Sequence, residues 1–127
     1  MFPTLRWFQE SEFKHPELMD SQFLVFLDDV RQAYGYPIEL TSDGRTAAEN
    51  AAAPNSSPTS LHLIGRAIDT HFPPTAQHLW ALVQAVQTVA GARACELELV
   101  YPNDPHVHIG LWPDASGRTS VLILQQD

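Results

Sequence analysis

Sulfur and positive charge are both scarce in this chain. Its one cysteine, Cys95, has no partner, so no internal disulfide can form and nothing calls for an oxidising compartment. Lysine and arginine total 7 against 15 acidic residues, and the net charge is -8 at pH 7. No basic run occurs, which argues against nucleic acid or an anionic membrane surface as the main partner. No apolar stretch approaches the ~20 residues of a membrane span, so membrane insertion is not expected. The opening stretch MFPTLRWFQESEFKHPELMD scatters charges every few positions, unlike a secretory signal. Synthesis in the cytoplasm without a signal peptide is the expectation. Repeats of solenoid length are also missing.

What remains suits one folded unit. The chain has 127 residues, of which 44% are hydrophobic, enough to close a single core. One domain over residues 1–127 is expected, as a monomer. Asp20 or Ser21 can cap a helix with Phe23, Phe26, Leu27, Val30 and Tyr34 at helical spacing, and Gly35 and Pro37 stop it. Ile38 to Thr41 reads as a short strand. A long polar stretch follows from Ser42 to Ser60, with a turn of helix near Ala47 to Ala53 and a loop at NSSPTS. Arg66 to His71 reads as strand, ended by Pro73 and Pro74. Thr75 can cap a second helix carrying Leu79, Leu82, Val83, Val86 and Val89, which Gly91 ends. ACELELVY and HVHIGL alternate as two strands joined by the turn PNDP, and SVLILQQ follows the turn DASGR as a last strand. The pattern predicts an α+β fold: a small, mostly antiparallel sheet with two main helices packed on it.

The chemistry concentrates in the histidines. Taken singly, each of the six is an ordinary surface or hydrogen-bonded core residue, and His15 and His78 receive no role. His106 and His108 differ because alternate residues of a strand share a face. Val107, Ile109 and Leu111 then take the core side, and the two imidazoles take the other. By the same parity Ala67, Asp69 and His71 share one face. In the stretch SLHLIGRAID, Gly65 lets the chain fold back and Ala67 leaves space, so His62 can approach Asp69. If the strand of His108 is adjacent, two imidazoles and a carboxylate meet as a three-ligand Zn2+ site with an open fourth position. Such a site acidifies water to a pKa of about 7 and suits hydrolysis of a carbonyl compound.

Three stretches in this order resemble a known family. TSDGRT is similar to a strand-to-loop arginine motif, SLHLIGRAID to an S-x-H-x-x-G-x-A-x-D signature, and HVHIGL to a final histidine-bearing strand. Together with WFQESEF and YPIELTSDGRT upstream, the chain resembles the zinc D-alanyl-D-alanine carboxypeptidases and phage L-alanyl-D-glutamate endopeptidases from about Trp7 to Trp112. These share the hedgehog/DD-peptidase fold. The resemblance implies a zinc metallopeptidase hydrolysing peptidoglycan stem peptides, with His62, Asp69 and His108 as metal ligands. It implies that Arg45 holds a substrate carboxylate or the developing oxyanion, and that Ser60 contributes to the substrate loop. It also implies action on the cell wall, after release or as part of a phage assembly.

Two positions depart from the family's pattern. Pro105 stands three residues before the last ligand, where relatives carry a proton-transferring side chain, and Gly110 stands where many carry an acidic residue. Candidates for the missing base are His106, Asp104 and, across the hairpin, Glu98. His106 is preferred, because it shares the face of His108 and an imidazole suits proton transfer near neutral pH. His71 is read as a rim residue. The alternative to the enzyme is a non-catalytic zinc-binding phage or wall-binding module on the same fold.

Overall fold

The computed structural model describes residues 2–53, 56–114 and 119–125. Helix α1 spans Ser21–Tyr34 and starts where the sequence provides a cap: the Asp20 carboxylate accepts from the Phe23 N–H. It ends at Gly35, which takes the left-handed conformation at φ 83°. Its inner face carries Phe23, Phe26, Leu27 and Val30, all at 0% exposure. Each such burial contributes about 1.5–3 kcal/mol. Helix α3, Ala76–Ala90, is capped by the Thr75 hydroxyl and packs beside α1 through Leu82, Val83 and Val86. Between them, α2 is a short turn, Ala47–Ala52, held by a reciprocal capping box between Thr46 and Glu49. No helix among the described residues is long and apolar enough to cross a membrane.

The five strands are β1 Leu40–Ser42, β2 Ala67–His71, β3 Cys95–Tyr101, β4 His106–Leu111 and β5 Ser120–Gln125. They form one sheet in the order β1-β2-β4-β3-β5, antiparallel except for β5, which runs parallel to β3. The fold is therefore α+β with a mostly antiparallel sheet, as the alternation predicts. β1 begins two residues later than expected, because Ile38 turns into the core while the Glu39 carbonyl accepts from the His71 N–H and the Thr70 hydroxyl. Of the expected connections, Asn55 and residues 115–118 lie outside the described residues, as does Gln126 at the end of the last strand.

Strand parity decides which residues meet. Ile68, Leu97, Leu99, Val107, Ile109 and Leu111 join the helices in the core. The opposite face reads in three rows across β2, β4 and β3: Ala67–Gly110–Glu96, Asp69–His108–Glu98 and His71–His106–Val100. The N-terminal segment closes under α1. Backbone N–H groups of Arg6 and Trp7 donate to the buried Asp28 carboxylate, and the Arg6 side chain pairs with it at 3.0 Å. Arg66, buried at 6% exposure, clamps the sheet to the start of α1 by donating to the carbonyls of Leu111 and Trp112 and to Asp20.

Candidate metal centre

One 3-10 turn, Leu61–Ile64, carries His62 onto the open face of the sheet. The Ser60 hydroxyl caps it by accepting from the His62 N–H at 3.2 Å. The turn is closed by Gly65 at φ 69°, and a Cβ there would lie 2.0 Å from the Leu18 carbonyl oxygen. Only glycine fits both the left-handed backbone and that close approach. The chain thus folds back as the sequence suggests, and His62, Asp69 and His108 converge from the turn, β2 and β4.

The donor geometry is compact. Asp69 Oδ1 lies 3.4 Å from His62 Nε2 and 3.3 Å from His108 Nδ1. The edge of a tetrahedron built on zinc–ligand bonds of 2.0–2.1 Å is about 3.3–3.4 Å. All three ligand atoms lie within 4.8 Å of one another, and the three residues are buried. Two imidazole nitrogens and a carboxylate oxygen at this spacing fit a divalent transition metal. Each ring is also held from behind. His62 Nδ1 donates to the Asp43 carbonyl at 2.8 Å, and His108 Nε2 donates to Glu96 Oε1 at 2.8 Å. Each bond leaves the opposite ring nitrogen toward Asp69.

Charge follows from this packing. Burial disfavours ionised Asp69, but hydrogen bonds from His108 and His62 outweigh it and hold the carboxyl well below the usual carboxylate range. Burial likewise opposes charge on His108, yet its bonds to Asp69 and Glu96 push its pKa up to about 9. Without metal, the cluster is thus a buried carboxylate bound to a charged imidazole. These three residues would hold a divalent metal ion only as it displaced protons from the cluster.

The other expected residues fall at different distances from this centre. Arg45 is brought in: its guanidinium donates to Asp69 Oδ2 at 3.4 Å, to Ser42 at 3.3 Å and to Asn50 at 3.4 Å. The buried Asn50 in turn donates to the Ser57 carbonyl, tying α2 to the following loop. His106 sits one row along from His108, and its Nδ1 donates to the Asp104 carbonyl at 2.8 Å. Asp104 is exposed at the turn with φ 48°, and that contact uses its backbone. His71 is exposed at the rim, 3.8 Å from Glu39. Glu96 and Glu98 both come within reach of His108, forming a second group of metal-capable side chains with it.

A model of the family described as peptidase M15 matches residues 6–110. The chain belongs to the peptidase M15 family. No curated protein matches the chain. The matched span contains α1, the arginine-bearing loop, the His62 turn and all but the last residue of β4, so every residue of the cluster lies within it. Membership in this family supports a peptidase activity.

Two contributors escaped the sequence reading. Asp43 acts through its carbonyl, which every residue possesses, so no side-chain motif announces it. Glu96 left a trace: the alternation Glu96-Leu97-Glu98-Leu99 places both glutamates on one face, and counting back from the PNDP turn sets Glu96 opposite Gly110.

Proposed function

We propose that the chain is a zinc-dependent peptidase that hydrolyses peptidoglycan stem peptides, as a D,D-carboxypeptidase or an L-alanyl-D-glutamate-type endopeptidase. The observation that carries this reading is the convergence of His62, Asp69 and His108, with both imidazole nitrogens 3.3–3.4 Å from one Asp69 oxygen and all three donors within 4.8 Å of one another, within a chain of the M15 family. Zinc held by these residues supplies a Lewis acid and an acidified water at neutral pH.

The protein's own groups account for the remaining tasks. Arg45 projects a planar, permanently charged fork beside Asp69 and suits a substrate carboxylate or the developing oxyanion. Ser60 keeps the turn of His62 in place and lies where the substrate loop begins. His106 is the proposed proton carrier. Donation of its Nδ1–H to the Asp104 carbonyl leaves Nε2 as the acceptor, the form a general base requires. Asp104 orients that ring through its backbone. The proposed setting is the cell wall, reached after release or within a phage assembly, by a single-domain monomer.

The test is digestion of purified murein and of defined stem peptides, with and without a chelator. Release of new amino groups that chelation abolishes and zinc restores is expected. Zinc bound at full occupancy without turnover would instead favour the non-catalytic wall-binding module, for which Pro105 at the usual base position speaks.

A further inference from the structure

Glu98, not Glu96, stands directly across from His108 in the sheet register. The short bond to His108 Nε2 nevertheless comes from Glu96, one row away. Diagonal cross-strand neighbours sit about 7–8 Å apart at the backbone, so a glutamate spans the gap only if nothing stands between. The residue facing Glu96 is Gly110, and its missing side chain provides that opening. A Cβ on Gly110 would lie 3.2 Å from Glu96 Oε1 and 2.9 Å from Leu61 Cδ1. Leu61, at 2% exposure, borders the same hollow.

We propose that Glu96 is the positioning residue of the metal centre, committing His108 to bind through Nδ1. The inference rests on the metal reading above. A neutral imidazole carries one N–H, and a ligand nitrogen must be the one without it. By accepting from Nε2–H, Glu96 leaves the Nδ1 lone pair facing Asp69 and the metal, and it stops the ring from turning. His62 is the mirror case, with Nδ1–H given to a carbonyl and Nε2 facing Asp69. The two ligands therefore use opposite nitrogens, each locked by an acceptor behind it. Glu96 meets the ring at the nitrogen turned away from Asp69, which separates its role from those of ligand and base.

The experiment measures zinc affinity by competition with a chromophoric chelator for the wild type, Glu96→Ala and Glu96→Gln. Long-range 1H–15N spectra of the histidine rings in zinc-loaded wild type accompany it. Glu96→Ala is expected to weaken zinc binding about 10–100-fold. Glu96→Gln, whose amide oxygen still accepts from Nε2–H, recovers part of that loss. The spectra are expected to show His108 protonated at Nε2 and metal-bound at Nδ1, a readout that needs no variant to fold. Unchanged affinity in Glu96→Ala, or His108 bound through Nε2, overturns the inference while leaving the metal centre standing. A wild-type chain that binds no zinc overturns both.

Discussion

β2, β4 and β3 present two faces, and residues one position apart live under different rules. On the helix side, the side chains of Ile68, Val107, Ile109 and Leu97 are each at 0% exposure and pack in the apolar core. On the other side, Asp69 and His108 are nearly as buried, at 8% each, yet they are polar and satisfied by one another. Burial therefore does not distinguish core from site in this protein; what the buried atoms are bonded to does. The core face stabilises through area removed from water. The site face gathers carboxylate charge that the Arg45 guanidinium and the imidazoles answer, and that a metal ion could balance further.

Neighbouring substitutions on β4 break this contrast most sharply. His108→Ala removes one of three metal donors and is expected to take zinc stoichiometry, read by elemental analysis after dialysis, from one per chain to none. Ile109→Ala, one residue further, is expected to cost about 2–5 kcal/mol of stability in urea denaturation, while the folded fraction keeps its metal. Metal loss from Ile109→Ala at temperatures where the chain is folded would show that the two faces are not independent.

A smaller effect sharpens the contrast between two buried carboxylates. Asp69 answers to imidazoles, whereas Asp28 answers to the N-terminal segment. Burial raises the pKa of Asp28, but donation from the Arg6 side chain and from the N–H groups of Trp7 and Arg6 brings it below its ordinary value. The stabilisation is thus present above the unfolded pKa of about 3.9 and lost as pH falls through the lower, folded value. Because the Arg6 side chain is 53% exposed, its share is modest. Asp28→Asn is expected to cost about 1 kcal/mol at pH 7, a gap that closes on acidification below pH 4. A pH-independent gap in denaturation midpoints would contradict an ionised anchor.

Much of this was legible from residues alone, for identifiable reasons. Asp20 and Gly35 bracket α1 because capping is local chemistry. The alternation in β2 and β4 put Asp69 and His108 on one face because strand parity is local too. Joining them required knowing that β2 and β4 are neighbours, which came from the resemblance and not from the pattern. The parallel pairing of β5 with β3 and the Arg66 clamp depend on contacts between distant segments, which no periodicity encodes. The diagonal reach of Glu96 depends on an atom that Gly110 does not have.

The central claim is that His62, Asp69 and His108 hold one zinc ion. X-ray absorption at the zinc edge of the loaded protein tests it most directly. The account predicts one zinc per chain with a first shell of two imidazole nitrogens and oxygen donors at about 2.0–2.2 Å. A chain that retains no zinc, or a spectrum without imidazole scattering, would contradict it.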